Sequence, residues 1–449
     1  MKNVALHNLG CKVNAYELEV MQQMLLEKGY NIVPFDQVAD IYIVNTCTVT
    51  NIADRKSRQM LHRAKQKNPD AIVVAVGCYV QTGREDVEKD ESIDLAIGNN
   101  RKSELIPILE QFLEDRDKTL HGATVVHIGD MDAYEEMHLK QTAEHTRAYI
   151  KIQDGCNQFC SYCLIPYARG RVRSRREEDI LAEVRGLAQS GYREVVLTGI
   201  HISSYGIDFD GAKQIYNGNS RLVDLVEKIH GLWGIDRIRL GSLEPRIVTE
   251  ETVARLAKLP KLCPHFHLSL QSGCDETLKR MNRHYTTGEY YHSVELLRAA
   301  FDHPAITTDV IVGFPGETEW EYETTKKFLE KVRFYEMHIF KYSKREGTVA
   351  AGMPDQVADQ IKTVRSNELL KMEKEQSADF RRRLTGHNVE VLVEEDKEID
   401  GVPYFLGHTK DYVKVAVPAG EKQAAFRVND LITVQIERAL TDEILLGRL

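Results

Sequence analysis

Apolar and polar positions along the first hundred residues alternate between two periods. Residues 4–7 read as a short strand. Residues 15–28 carry Leu18, Met21 and Leu25 on one stripe, with Gly29 just past its end, and predict a helix. A second strand over 41–44, a helix over 53–67 ended by Asn68-Pro69, and a third strand over 71–76 follow. The third has the β-branched content of a strand covered on both faces. Such strand–helix alternation predicts a parallel α/β sheet. A helix near 103–113 and the polar stretch 115–121 close the unit, so a first domain is expected over 1–120.

From about residue 146 the alternation resumes with a longer repeat. Strands are expected at 148–152, 194–197, 237–240, 265–270, 307–312 and 336–340, with helices such as 177–189, 221–230 and 317–332 between them. Six βα-like units exceed a small flavodoxin-type domain and predict a barrel or partial barrel over 142–375. Whether it is open or closed is not written in the pattern. A long polar helix over 357–384 leads into 385–449. There the stretches 389–393, 412–417 and 431–436 alternate apolar and polar positions between turn residues, as in a small antiparallel β-barrel. The expected fold class is α/β: an N-terminal parallel sheet, a central partial barrel and a C-terminal β-barrel.

Composition adds limits. With 449 residues, 42% hydrophobic and 28% charged, the chain is ordinary for a globular protein and too long for a single core. Its longest apolar run, 71–78, falls far short of the ~20 residues that cross a bilayer. The first ten residues lack the apolar stretch of a secretory signal, so a cytoplasmic location and no membrane partner are expected. A net charge of −9 does not announce a nucleic-acid binder, although local patches matter more than the total. Eight cysteines in such a chain are not a disulfide framework. Their positions carry the information.

Cys156, Cys160 and Cys163 fall within eight residues, after an expected strand and a Gly155 turn. Thiolates suit zinc or iron–sulfur clusters. Structural zinc is normally closed by four ligands, commonly as two separated pairs, whereas a four-iron cluster on three cysteines keeps one iron open for a small molecule. Zinc and a chance cysteine-rich loop stand as the alternatives. A second set, Cys11, Cys47 and Cys78, is dispersed, yet each lies one to four residues beyond an expected strand. Ligands of open parallel sheets bind outside the carboxyl ends of the strands, so three such loops can converge on one site. Gly10 and Gly77 would permit tight turns beside it. The alternative is three ordinary buried cysteines. Cys263 and Cys274 match no ligand position and are expected to be structural.

The 156–163 loop resembles the radical S-adenosylmethionine (SAM) superfamily, whose C-x3-C-x-aromatic-C signature is filled here with Tyr162 as the aromatic. The two triads in this order resemble the methylthiotransferases, which join a three-cysteine domain, a radical-SAM domain and a C-terminal TRAM barrel. The motifs stand as Leu9-Gly10-Cys11-Lys12-Val13-Asn14, Asn45-Thr46-Cys47-Thr48-Val49-Thr50, Gly77-Cys78, Gly155-Cys156-Asn157-Gln158-Phe159-Cys160 and Gly313-Phe314-Pro315-Gly316-Glu317-Thr318. The resemblance implies two [4Fe-4S] clusters, one on each triad, with SAM as cofactor and methyl source. It implies transfer of a methylthio group to carbon 2 of a modified adenosine next to the anticodon. Lys12-Val13-Asn14, Thr48-Val49-Thr50-Asn51 and 53–58 look most like the subfamily acting on N6-threonylcarbamoyladenosine; N6-isopentenyladenosine is the alternative substrate. A non-enzymatic iron–sulfur RNA-binding protein is the rival of another class. The implied partners are a tRNA anticodon stem-loop, an electron donor and a sulfur donor.

By the same resemblance, strand ends of the central domain line the SAM and RNA pockets. Tyr162, Gly199, Ser242, Glu244, Gln271, Asp309 and Gly313 are the candidate cofactor contacts. Gly199 and Gly313 would permit close approach, Ser242 and Gln271 would hydrogen-bond, and Glu244 and Asp309 would make polar or acid–base contacts. Arg169, Arg171, Arg173, Arg175 and Arg176 follow the cysteine loop and are candidates to neutralise RNA phosphates; support of the cofactor carboxylate or a solvated edge are the other readings. Arg381-Arg382-Arg383 and the group Arg55, Lys56, Arg58 and Arg63 offer further basic faces. The C-terminal barrel, assigned to RNA by resemblance, has seven Lys/Arg against twelve Asp/Glu from Thr385 onward. Tyr404, Phe405 and Tyr412 would therefore have to make aromatic contacts.

Overall fold

The computed structural model describes residues 2–114, 122–125, 128, 133–140, 146–209, 220–419 and 427–449. Strands β1 (Asn3–Asn8), β2 (Asn31–Val33), β3 (Ile41–Thr46), β4 (Ile72–Gly77), β5 (Leu95–Ile97) and β6 (Gly122–Thr124) form one parallel sheet in the order β2-β1-β3-β4-β5-β6. β3 and β4 are buried along their whole length, which is why their sequences are near-continuous Ile, Val and Ala. Helix α1 (Lys12–Glu27) covers one face with Tyr16, Val20, Met21 and Leu25. Helix α2 (Asn51–Lys67) covers the other with Leu61 and Ala64. The expected closure at residue 120 is too early, because β6 pairs with β5 beyond it; the polar stretch 115–121 lies outside the described residues.

The central strands are β7 (Arg147–Asp154), β8 (Arg173–Ser174), β9 (Glu194–Gly199), β10 (Arg237–Leu240), β11 (His265–His267), β12 (Ala305–Val312) and β13 (Glu336–Lys341). They pair as β10-β9-β7-β8 and β11-β12-β13. Parallel bridges Ile238↔Leu262 and Leu243↔Leu268 join the two groups. Six parallel strands, β7-β9-β10-β11-β12-β13, thus make an open partial barrel over one continuous apolar core. Helix α1 of the first unit packs against β7 and β9.

The helix Asp359–Arg382 lies along β13 and leads to the last unit. There β14 (Asn388–Ile399), β15 (Val402–Thr409), β16 (Lys414–Pro418), β17 (Leu431–Ala439) and β18 (Ile444–Arg448) close into a barrel in the order β14-β15-β16-β18-β17. It is not wholly antiparallel as expected, since β16 and β18 pair in parallel. This barrel docks on the N-terminal edge of the central strands. Tyr412 takes the guanidinium groups of Arg147 and Arg239 at 4.9 and 4.7 Å from its ring centre. Arg237 donates to the carbonyls of His408 and Glu390, both at 2.9 Å. Tyr404 and Phe405 are buried in two separate apolar clusters of this unit, and half-buried Tyr412 is held in the joint by Arg147, Arg239 and His408. None of the three is free to stack on RNA, which corrects their expected role. Among the described residues no helix is long and apolar enough to cross a membrane.

Candidate functional site: two thiol triads at strand ends

β1, β3 and β4 are neighbours in the first sheet, and adjacent strands lie roughly 4.8 Å apart. Cys11 caps α1 directly after β1, Cys47 follows β3, and Cys78 opens the short helix Cys78–Thr82 after β4. The tens of residues between them in sequence therefore vanish in space, and the three thiols are close enough for their charges to act on one another. Close approach fixes the flanking glycine: a Cβ on Gly10, at φ +101°, would sit 2.9 Å from Cys47 Sγ. Asn14 donates to the carbonyls of Leu9 (2.6 Å) and Thr46 (3.0 Å), locking the β1 and β3 loops together. Ser57 accepts from Cys47 N–H and donates to Cys47 C=O. Asn99 reaches Cys78 Sγ at 3.5 Å and donates to Ala168 C=O at 2.7 Å, across to the central domain.

The second triad sits on the loop between β7 and the short helix Ile165–Arg169. Gly155, at φ +71°, leaves no room for a side chain: a Cβ would lie 1.8 Å from Arg171 C=O. Cys156 N–H donates to Gly170 C=O at 3.0 Å. Ser161 donates from its N–H to Met281 C=O (3.0 Å) and from its hydroxyl to Arg280 C=O (2.8 Å). Arg283 Nη1 donates to Cys160 Sγ at 3.2 Å. The ring of Tyr162 stands edge-on to Phe314, 6.4 Å away.

Burial pushes the Cys47 and Cys156 thiols up to about 12 and raises Cys11 and Cys163 as well; neighbouring thiols add to it. Each triad also has a cation beside it, half-buried Arg283 for one and buried Arg169 for the other. Arg283 touches Cys160, and Arg169 acts on Cys11, Cys47 and Cys78. Three soft donors, with no carboxylate or imidazole among them and one guanidinium to offset thiolate charge, suit an iron–sulfur cluster on three cysteines. Cys263 and Cys274 are buried elsewhere, Cys274 against Glu276.

Asn99 and Arg169 tie the first triad's loops to the segment behind the second. Cys11 and Lys12 are reached by water, yet surrounding protein is dense enough to desolvate a charge there. Burial, then Arg239 and Arg147, push Lys12 down to about 8. On the adjacent strands β11, β12 and β13, His267, Asp309 and His338 bring their ligand-type atoms within 4.8 Å of one another. His267 Nε2 lies 3.4 Å from Asp309 Oδ2.

The Radical SAM superfamily matches residues 150–329, and the Uncharacterized protein family UPF0004 matches residues 3–98. The chain is 38% identical to the threonylcarbamoyladenosine tRNA methylthiotransferase MtaB of Bacillus subtilis, covering 98% of this chain and 94% of the relative. It is 35% identical to a tRNA-2-methylthio-N(6)-dimethylallyladenosine synthase of Methylacidiphilum infernorum, covering 94% and 90%. This chain belongs to the radical-SAM methylthiotransferase family. Among solved structures, the radical SAM methyltransferase TsrM of Kitasatospora setae shares the fold, with a TM-score of 0.55 at 17% identity, covering 76% of this chain and 75% of that one. The two family matches contain one triad each, and the C-terminal barrel lies outside both.

Within this methylthiotransferase fold the arginine run departs from expectation. Arg169, Arg173 and Arg175 are fully buried and cannot meet a phosphate. Arg169 pairs with Glu17 and Asp154, and Arg175 with Glu183. The Asp154 charge faces Arg173. The run places Arg173 in β8, antiparallel to the end of β7, which turns these side chains inward. Arg171 and Arg176 stay exposed. Gly199 and Gly313 are also reassigned. A Cβ on Gly199 would meet Gln153 C=O at 2.9 Å, and one on Gly313 would meet Lys362 Cγ at 2.3 Å, so protein rather than cofactor requires the missing side chain. Ser242 is accessible. Glu244 accepts from Arg246 at 2.7 Å, and its buried Oε2 has no hydrogen-bond partner. Gln271, at φ +71°, donates from its N–H to Asp309 C=O.

Sequence reasoning missed Glu17, Lys102, Lys151, Asp154 and Arg283. The available signal was charge inside apolar runs: Lys151 and Asp154 interrupt a strand, and Glu17 lies on the buried face of α1.

Proposed function

We propose that this chain adds a methylthio group to carbon 2 of N6-threonylcarbamoyladenosine in tRNA, next to the anticodon, as a cytoplasmic enzyme. The observation that carries the reading is the pair of three-thiol donor sets at strand ends, each with its own arginine and tied together through Asn99 and Arg169. Likeness to the threonylcarbamoyladenosine tRNA methylthiotransferase of Bacillus subtilis supports the substrate class. Cys156, Cys160 and Cys163 would hold the [4Fe-4S] cluster that binds SAM; Cys11, Cys47 and Cys78 would hold the second. When bound, these groups would supply the reductive cleavage of SAM and the sulfur.

The chain's own residues do the rest. Gly155, Ser161 and Arg283 hold the 156–163 loop against the strand ends. Asn14, Ser57 and Asn99 hold the first triad's loops. Tyr162, Ser242, Glu244, Gln271 and Asp309 line the SAM side at the ends of the central strands. Exposed Arg171 and Arg176, with Arg55, Lys56 and Arg63 on α2, offer cations to the anticodon stem-loop. The functional division follows the sheets: a sulfur-carrying unit through residue 125, a radical-SAM unit from 146 to the helix Asp359–Arg382, and an RNA-binding barrel from 388. An electron donor and a sulfur donor complete the cycle.

The test is anaerobic. Reconstituted protein, SAM and a reductant are incubated with one tRNA pool carrying threonylcarbamoyladenosine and one carrying isopentenyladenosine, and digested nucleosides are read by mass spectrometry. A methylthio mass gain in the first pool is expected. Gain only in the second overturns the substrate, and SAM cleavage without gain in either overturns the tRNA assignment.

A further inference from the structure

We propose that Arg345 is a positioning residue: it fixes the loops of Cys47 and Cys78 relative to the 156–163 loop, so that SAM cleavage leads to methylthio transfer rather than running without it. This deepens the proposed function and rests on it. The proposed reaction asks thiol loops on two different units to serve one adenosine carbon. Arg345 lies on neither loop. It follows β13, in the segment 342–350 of the central unit.

That segment grips both loops. On the side of the second triad, Ala350 N–H donates to Ser161 C=O at 2.8 Å. Tyr342 and Ala350 also share an apolar cluster with Phe314, against which Tyr162 packs. On the side of the first triad, Arg345 Nη2 donates to Thr48 Oγ1 at 2.8 Å and lies 2.6 Å from Asp54 Oδ2, while Nη1 donates to Asn51 Oδ1. Asn51 donates back, from its N–H to Ser343 Oγ (3.2 Å) and from Nδ2 to Lys344 C=O (3.0 Å). Arg345 is buried although its neighbours Lys344 and Glu346 are exposed, and the Thr348 hydroxyl donates to its carbonyl at 2.7 Å.

Thr48 directly follows Cys47 and is itself buried. A hydroxyl has a single proton to donate, so the direction of the next bonds is set. Arg345 donates to Thr48, Thr48 to Thr82 at 3.3 Å, and Thr82 to Cys78 C=O at 3.1 Å. One guanidinium therefore reaches the residue after one cysteine and, through two hydroxyls, the backbone of another. A forked donor held by a carboxylate fixes orientation as well as position. The cation that acts on the Cys47 thiol is Arg169, so Arg345 sets where the loops stand rather than the charge at that sulfur.

The experiment uses protein reconstituted with both clusters, SAM, a reductant and tRNA carrying threonylcarbamoyladenosine. The readout is the ratio of methylthio nucleoside to 5′-deoxyadenosine, beside the iron content of each preparation. The variants are Arg345→Gln, and Thr48→Val, which removes the hydroxyl but keeps the pair between Arg345 and Asp54. Each should lower the ratio about tenfold or more, as a small misplacement of reacting groups does, with SAM cleavage and iron content at wild-type levels. A merely structural role would lower both products together and leave the ratio alone. An unchanged ratio in either folded variant, or iron lost along with the product, overturns the assignment of Arg345, while product from the wild type leaves the proposed function standing. If Arg345→Gln does not fold, Thr48→Val decides alone. SAM cleavage by the wild type without methylthio product overturns both.

Discussion

Arg169 donates through Nη1 and Nη2 to the two carboxylate oxygens of Glu17, at 2.9 and 3.0 Å. Both residues are buried, and they belong to different units: Glu17 to α1 of the first sheet, Arg169 to the segment behind the second triad. The same guanidinium reaches Asp154 at 3.2 Å and Asn14 at 2.7 Å. Lys102 and Lys151 complete the group on the Glu17 carboxylate. One buried ionic knot thus joins β1's loop, β7's end and the first triad.

Glu17→Gln would leave three buried cations with one carboxylate. Removing one partner from a buried ionic group costs about 3–5 kcal/mol, because the remaining charges lose their compensation. A chain of several units does not unfold in one step, so the loss is read locally. Hydrogen exchange in α1 and β7 should speed up by a factor on the order of a hundred or more, with the C-terminal barrel unaffected. Unchanged protection in α1 would refute the knot's role.

The pH dependence has a definite sign. Burial alone would raise Glu17, but Arg169, Lys102 and Lys151 hold it well below the usual carboxylate range. Asp154 is likewise held down by Lys151, Arg169 and Arg173. A depressed folded value means that the stabilisation is complete above the ordinary carboxylate range and is lost only as pH falls through the depressed value. Protection of α1 should therefore be flat from neutrality to about pH 5 and fall only in stronger acid. In Glu17→Gln the acid-induced fall should be smaller.

Much of this arrangement was legible before the structure. β3 and β4 announced themselves as apolar runs, and strand-end placement alone brought Cys11, Cys47 and Cys78 together. β2, β5 and β6, at three residues each, are too short to show a period. β15 had a readable signal that went unused: Asp400-Gly401, both at positive φ, is a tight hairpin turn between β14 and β15. The arginine run misled for a different reason. Glu17, which takes Arg169 out of solvent, lies 152 positions earlier, beyond the reach of any local pattern.

Arg283, half-buried, donates to Cys160 Sγ and compensates thiolate charge in its triad. Hydrogen bonds and positive charge at cluster sulfurs favour the reduced state. Arg283→Leu should lower the midpoint potential of the cluster on that loop and slow SAM cleavage about 10–100-fold, the usual range for an outer-shell partner. Redox titration followed by electron paramagnetic resonance checks the first, and 5′-deoxyadenosine yield the second. The other cluster's potential should not move.

The two triads should separate by task. Cys160→Ala should abolish SAM cleavage while leaving the iron content of the first-sheet site. Cys47→Ala should stop methylthio product while SAM cleavage continues uncoupled. Iron analysis, 5′-deoxyadenosine and modified nucleoside are measured on the same samples. Normal product from Cys47→Ala would remove the sulfur-carrying assignment.

The arginines after the second triad should split by burial rather than by sequence position. Arg171 lies 4.3 Å from the ring centre of Phe159, and Arg176 is exposed beside Asp179. Both can still meet phosphate. Arg171→Ala and Arg176→Ala should each weaken RNA binding and reduce the salt dependence by about one phosphate contact, with the fold intact. Arg175 is enclosed against Glu183 and Tyr16, so Arg175→Ala leaves a buried carboxylate unpaired. It should destabilise the protein and leave the salt slope of RNA binding in the surviving folded fraction unchanged. Binding isotherms at several salt concentrations, beside thermal melts, distinguish the two groups. A reduced slope in Arg175→Ala would put that arginine on the RNA surface and overturn the split.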